Sequence, residues 1–228
     1  LLDMLESDGR GLISVPENWD EAMDRIFIDY SDENEARSKL NYLIDRGYTL
    51  ETLEYFEVGY SERQGRIVIP SRDIFFNIVG FIGRATKPDQ YPKYLYSDNF
   101  PRRETLFNLQ NAKAFREVIL TEGSLDAMRV YQAGFPNVVA TLGAAIPSGH
   151  NTILNKFFDS LVLFFDNDEA GNAAKRAIMK GNPRKDLWIV PYPSGVKDPG
   201  EMTEEQIKTS INQKIHYLDW LFQTQGEE

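Results

Sequence analysis

The sequence predicts an α/β protein: a parallel-sheet subdomain preceded by a smaller α+β amino-terminal subdomain. Three observations predict it. The apolar run Leu161-Val-Leu-Phe-Phe165 leads directly into Asp166-Asn-Asp168, followed by an Ala-rich segment with Gly171 near its start. The run Val118-Ile-Leu-Thr121 does the same, ending in Glu122-Gly123 ahead of a helical segment. Short apolar runs bounded by turn residues read as strands buried on both faces. From residue 116 onward such runs alternate with helical spacing, which is the pattern of parallel strands joined by crossover helices.

The elements follow in order. Residues 1–16 are weakly patterned and expected to be peripheral. Glu17 to Tyr30 has helical spacing through Trp19, Met23, Ile26 and Phe27. Asp32 to Arg46 predicts a second helix with Ala36, Leu40 and Leu43 inward and Gly47 as its stop, and Thr49 opens a third. Arg66-Ile-Val-Ile-Pro70 and Ile74 to Arg84 predict adjacent strands turning at Ser71-Arg-Asp73. Residues 86–104 read as a long loop, and Leu106 to Ala114 as a helix. Beyond it come strand 117–121, a helix from an N-cap at Ser124 to Ala133, strand 138–142, helix 149–158, strand 161–165, helix 169–180 and strand 186–190. One long amphipathic helix is expected from Thr203 to Phe222. The predicted domains are residues 1–115 and 116–228.

Composition narrows the chemistry. With 228 residues, 42% of them hydrophobic, the chain can bury a substantial core. It has no cysteine, which excludes disulfides, thiolate zinc sites and a thiol nucleophile. Two histidines, His150 and His216, make a histidine-centred metal site or triad a poor expectation. No signal peptide and no apolar run of membrane-spanning length is visible, so a cytoplasmic protein without membrane association is expected. The net charge of −10 argues against nucleic-acid binding, but it is unevenly spread. Residues 1–62 hold 16 acids and 5 bases, and the rest is near balance. Arg84, Lys87, Lys93, Arg102 and Arg103 form a local basic stretch, interleaved with Tyr91, Tyr94 and Tyr96. Cations mixed with aromatics suit single-stranded nucleic acid, whose backbone they neutralise and whose bases they stack. A solvated loop pinned by tyrosines fits the same residues.

The acids carry the chemistry. Helix capping explains an Asp-x-Asp motif equally well when it stands alone. Two parallel strands that both end in acids change the balance. Carboxylates about 4 Å apart repel by roughly 4 kcal/mol at an effective dielectric near 20. A fold tolerates this with a cation between them or with one acid protonated. Oxygen ligands favour Mg²⁺ or Mn²⁺ over zinc. Asp198, in the turn Gly195-Val-Lys-Asp-Pro-Gly200 after the fourth strand, falls on the same sheet edge. Lys197 beside it suits either a phosphate contact or a plain surface position. Asp126 suits either shaping its turn or a position behind the ligands, and the structural role is expected.

At these residues the chain resembles a known family. Glu122-Gly-x-x-Asp126, Asp166-x-Asp-x-x-Gly171 and Lys197-Asp-Pro199 look like the Toprim motifs of DnaG-type primases. Upstream, Gly65-Arg-Ile-Val-Ile-Pro70, Val79-Gly-Phe-Ile-Gly-Arg84, Pro92-Lys-Tyr-Leu-Tyr-Ser97 and Leu106-Phe-Asn-Leu109 resemble that family's amino-terminal subdomain in order. Asn137 to Gly143 is similar to the second Toprim strand and its turn. The resemblance covers about residues 40–205.

It implies RNA primer synthesis on a single-stranded DNA template, from nucleoside triphosphates with Mg²⁺ or Mn²⁺. Carried over by motif, Glu122, Asp166 and Asp168 would be catalytic metal ligands, with Asp198 assisting. Arg66, Arg84, Lys93, Arg102, Arg103 and Lys197 would face template or nucleotide. Arg102 stands where the family usually has lysine. The chain has no cysteine to build the family's zinc-binding module, and the helical and helicase-binding parts that follow in the family are expected to be missing or reduced. Such modules, or a replicative helicase, are expected to act in trans or on further chain. The chain opens on Leu rather than Met, so a catalytic core cut from a longer protein, or one of phage origin, is expected. The rival readings are a Toprim metal-dependent nuclease and a non-catalytic nucleic-acid-binding module.

Overall fold

The computed structural model describes residues 26–225. The expectations for residues 1–25 lie outside the described residues, and residues 26–30 run as turn and coil rather than helix. The described residues divide into two compact units: residues 26–71 with 77–100, and residues 72–76 with 101–225.

In the first unit, α1 (Glu33–Ile44) starts at Asp32, whose Oδ1 accepts from the Asn34 and Glu35 amides at 3.1 and 3.0 Å. An N-cap carboxylate satisfies amides that the helix itself leaves unpaired. Ala36, Leu40 and Leu43 form its buried stripe, and the chain leaves through Gly47 at φ 86°. Thr49 caps the short α2 (Leu50–Tyr55) through its hydroxyl. A four-stranded sheet follows in the order β1 (Gly59–Ser61), β2 (Arg66–Arg72), β3 (Ile78–Ala85), β4 (Tyr94–Tyr96). Strand β4 pairs antiparallel with β3 and gives order to the middle of the expected loop.

Strand β3 starts four residues later than expected. Asp73 accepts the Phe75 amide on its side chain and the Phe76 amide on its carbonyl, and Arg72 bonds to the Phe76 carbonyl. An Asp that bonds backbone two residues on makes a turn out of what its apolar neighbours would extend. Ile74 in this turn packs against the core of the second unit.

The second unit is built on a five-stranded sheet in the order β6-β5-β7-β8-β9: β5 (Glu117–Thr121), β6 (Val138–Ala140), β7 (Ser160–Leu163), β8 (Asp186–Ile189) and β9 (Ile215–His216). The first four strands are parallel and β9 is antiparallel. Strands β5 and β7 are buried along nearly their whole length, as the apolar runs require. The crossover helices are α4 (Ser124–Gln132), α5 (Ser148–Phe157) and α6 (Glu169–Gly181). The core joins Val118, Leu120, Leu161, Leu163 and Phe165 to Leu154, Ile178 and Tyr217.

Residues 101–115 pack with this second unit, so its boundary precedes the expected 115/116 division. Leu106, Leu109 and Ala112 are in its core, and Phe107 pairs with Ala140 in an antiparallel bridge. That bridge, with Asn108 at φ 66°, cuts the expected 106–114 helix down to α3 (Leu109–Ala112).

The expected 203–222 helix is likewise two helices, α7 (Glu204–Asn212) and α8 (Tyr217–Gln225), split by β9. Ile215 and His216 pair with Ile189 and Trp188 and cover the open edge of β8. Covering an edge strand satisfies backbone groups that a continuous helix would leave bare.

Leu163 lies fully buried at the centre of this core. Its replacement by Ala should cost about 2–5 kcal/mol. A lower urea midpoint at unchanged m-value is the expected readout.

Candidate active site

The strand order reverses between β5 and β7. The chain leaves β5 for β6 on one side, then returns to add β7 on the other. At such a switch point the two crossovers part and leave a crevice at the carboxyl ends of the strands. Glu122 directly follows β5, and Asp166 and Asp168 follow β7.

The turn after β5 is held by its own side chains. Asp126 reaches back to accept the Gly123 amide at 3.1 Å, so Gly123, rather than Ser124, takes the cap position of α4. The other oxygen of Asp126 accepts the Gly200 amide at 3.2 Å. One carboxylate thus ties the β5 turn to the turn that carries Asp198. Asp198 itself accepts the Glu201 amide at 3.0 Å and caps a short 3-10 turn, Pro199–Glu201.

The junction after β7 is closed by three contacts. Asp168 accepts the Gly171 amide at 2.8 Å and caps α6. A Cβ on Gly171 would stand 2.0 Å from the Asp166 carbonyl oxygen, so glycine alone allows the helix to start this close to the strand end. Asn167 donates its backbone amide to the Lys197 carbonyl at 2.7 Å and its side-chain amide to the Val196 carbonyl at 3.4 Å. Three separate loops are thereby fastened with their acids converging. Capping, the bland explanation for these aspartates, holds for one oxygen each of Asp168 and Asp198. It does not hold for Asp166, whose Oδ1 is buried with no hydrogen-bond partner.

The charges register this convergence. Burial, then the charges of Glu122, Asp198 and Asp168, push the Asp166 carboxyl up to about 7 against a weaker pull from Lys175. Burial and the charges of Asp198 and Asp166 raise Asp126 to about 7 as well, although two amides hydrogen-bond its ionised form. Glu122 is raised by burial and by Asp168.

Two further residues belong to the cluster and were not singled out from sequence. Tyr192 donates its hydroxyl to the Phe165 carbonyl at 3.1 Å, and its phenol is raised by burial and by the charges of Asp166, Asp126, Asp198 and Asp168. Lys175 is buried on α6, lowered to about 8 by burial while Asp166 and Asp168 pull the other way. Their sequence signals were weak: a Tyr between two prolines, and a Lys on an amphipathic helix.

The expected cations divide between the units. Arg66, Arg84 and Lys93 lie on the first unit, and Arg102, Arg103 and Lys197 on the second. Lys93, Arg102, Arg103 and Lys197 are exposed. Arg66 and Arg84 are buried, at 4% and 8% exposure. The Arg84 guanidinium donates to the Tyr42 hydroxyl at 2.7 Å and lies 4.9 Å from the centroid of the Tyr94 ring. Of the three loop tyrosines, Tyr91 is 92% exposed. Tyr94 packs under Arg84, and Tyr96 packs against Phe100.

Comparison with known proteins agrees with this architecture. Residues 119–203 match the Toprim-like family model. The DNA primase of Aquifex aeolicus is 33% identical over 168 residues, covering 70% of this chain and 34% of the relative. The DNA primase of Staphylococcus epidermidis is 31% identical over 214 residues, covering 73% of this chain and 36% of the relative. The chain therefore spans about a third of these relatives' length.

Among solved structures, the zinc-binding and RNA polymerase domains of Aquifex aeolicus primase superpose with a TM-score of 0.76 at 24% identity. They cover 100% of this chain and 69% of that one. A DNA primase domain from Pseudomonas aeruginosa gives 0.73 at 22%, covering 90% and 80%. A DnaG primase catalytic domain bound to single-stranded DNA gives 0.68 at 22%, covering 81% and 74%. At these identities the likeness is one of fold.

A carboxyl raised above its unfolded value of about 3.8 contributes stability below that pH and loses it as pH rises through about 7. Asp166→Asn should therefore stabilise the metal-free chain at pH 8 and lose that advantage at pH 4. The expected rise in Tm in EDTA at pH 8 is about 2–4 °C, the shift that ~1 kcal/mol produces in a domain of this size. Gly171→Ala should lower Tm, because it displaces the Asp166 backbone. Thermal melts in EDTA would read both variants. With its Toprim-like match over residues 119–203 and its DNA primase relatives, the chain carries a Toprim core of the DnaG-primase type.

Proposed function

We propose that this chain is the catalytic core of a primase, joining ribonucleotides into short RNA primers on single-stranded DNA. One observation carries the reading: Glu122, Asp166, Asp168 and Asp198 converge from three loops on one sheet edge, around a buried carboxylate oxygen without a partner. Such an arrangement costs folding free energy, and a divalent cation would recover it. The all-oxygen donor set suits Mg²⁺ or Mn²⁺. Among the described residues no three acids are gathered tightly enough to form a ready-made ligand cage. The fit lies in the repulsion and in the orphaned oxygen rather than in a preformed shell.

The reaction class follows. A primer 3′-hydroxyl gives up its proton to solvent and attacks the α-phosphorus of a nucleoside triphosphate; the new P–O bond forms as the α–β P–O bond breaks, and pyrophosphate leaves with that bond's electrons. Phosphoryl transfer of this kind is mostly positioning and neutralisation of charge. A bound ion would supply positive charge for the transferring group. Glu122, Asp166 and Asp168 would hold it, with Asp198 assisting.

Asp126 and Asn167 would act through backbone, keeping the three loops in register. Lys197, beside Asp198 and exposed, is placed to meet phosphate. Arg102, Arg103 and Lys93 would neutralise the template or nucleotide backbone, and Tyr91 would offer a face to a base. Arg66 and Arg84 would contribute as fixed positive charge, since their side chains are buried. A zinc module or a helicase would have to come from further chain or from a separate protein.

Purified chain with template, ribonucleoside triphosphates and Mn²⁺ should yield labelled oligoribonucleotides. Asp166→Asn should reduce that yield by about 100-fold or more, as loss of charge stabilisation at a transferring phosphoryl group does. Undiminished product from the folded variant would remove Asp166 from the site. Shortened DNA without triphosphates would identify a nuclease instead, and no change in either substrate a binding module.

A further inference from the structure

Lysine is seldom fully buried, and then it is usually paired with a carboxylate. Lys175 is 3% exposed, yet its ammonium hydrogen-bonds the neutral Oδ1 of Asn172, at 3.1 Å. The nearest ring is that of Trp220 on α8, with Nζ 5.9 Å from its centroid. Position on the helix shows where the charge is aimed. Gly171, Ala174, Lys175 and Ile178 form the buried face of α6. Gly171 abuts the Asp166 carbonyl, so this face lies against the end of β7.

Helical side chains lean toward the N-terminus. The bond from Nζ to Asn172, three residues back, fixes Lys175 in that direction. Its ammonium therefore points toward the positive end of the helix dipole, where a cation is disfavoured. Burial and the dipole both oppose this placement. The negative charges at that end, Asp166 and Asp168, are what compensates for it, and both act on Lys175 electrostatically. Arg176, the next residue, faces the other side of the balance: its guanidinium lies 5.8 Å from the same Trp220 ring and adds repulsion.

We propose that Lys175 is a positioning residue whose ammonium is the resident counter-charge of the Asp166–Asp168 junction and competes with a divalent cation for it. The first half concerns the folded chain alone; the second rests on the reading that these acids hold a metal. A built-in cation lets the three acidic loops close in the absence of metal. It also weakens metal binding, so that an ion is held loosely enough to exchange.

The test has two arms on the full chain. In EDTA at pH 8, Lys175→Met should melt well below wild type, and the double variant Lys175→Met/Asp166→Asn should recover most of the loss. Asp166→Asn alone raises Tm under these conditions, so the two single changes and the double are read as a cycle. A merely structural lysine would leave the double variant below Asp166→Asn by the full Lys175→Met loss, and that additive result would overturn the counter-charge. If Lys175→Met does not fold at all, the same comparison still decides: a folded double variant supports the proposal and an unfolded one overturns it.

In the second arm, free Mn²⁺ is followed by electron paramagnetic resonance during titration. Lys175→Met should bind about tenfold more tightly, as removal of a nearby like charge requires, while Lys175→Arg stays within about threefold of wild type. Equal or weaker binding by a folded Lys175→Met overturns the competition. If wild type and both variants bind no Mn²⁺, the metal-ligand reading fails and takes the competition with it, while the EDTA arm still decides the counter-charge.

Discussion

Mutual repulsion among carboxylates is the constraint on which the second unit depends. Four acids and Asp126 gather at the end of a buried parallel sheet, where low polarisability strengthens every like-charge contact. The loops are held there by backbone hydrogen bonds. Asp126 bonds amides from two turns, and Asn167 bonds two carbonyls of the turn bearing Asp198. These bonds do not neutralise the acids. They fix geometry, and so keep the charges close at a cost that the apolar core beneath has to offset. Strands β5 and β7, buried along their apolar residues, are the elements that supply it.

A divided labour among aspartates follows. Asp168 and Asp198 each use one oxygen to cap a helical turn, and this orients the carboxyl that remains. Asp126 uses both oxygens on backbone amides and serves as a rivet. Asp166 keeps a buried oxygen without any protein partner. Residues of one type, at one sheet edge, therefore differ in chemical availability according to how many amides point at them. Structural capping and ligand binding are compatible uses of the same side chain, since a carboxylate has lone pairs enough for both.

The cations follow a different logic. Arg66 and Arg84 sit in the first unit as buried side chains, Arg84 between Tyr42 and Tyr94. Such a guanidinium contributes a fixed field rather than a mobile contact. Lys93, Arg102, Arg103 and Lys197 are exposed side chains. Preorganised charge and adaptable charge are thus carried by different residues, although all six are simply basic letters in the sequence.

Much of the parallel sheet was legible from sequence because burial on both faces writes itself as continuous apolar runs. The acids at 122, 166 and 168 stood out because they follow the ends of such runs, and Asp198 because its turn follows the fourth strand. The helix opening at Asp32, its stop at Gly47 and the next start at Thr49 were equally plain, since helix ends are local chemistry. The break between α7 and α8 was not legible. Residues 203–222 keep helical spacing throughout, and only the open edge of β8 pulls Ile215 and His216 into a strand. The Phe107–Ala140 bridge shortened α3 for the same reason. Lys175 and Tyr192 stayed hidden because what makes them matter is the charge around them. Sequence alone determined which segments are apolar, where they stop and which acids follow. Tertiary structure decided which stops meet, because strand order and edge pairing depend on partners distant in the chain.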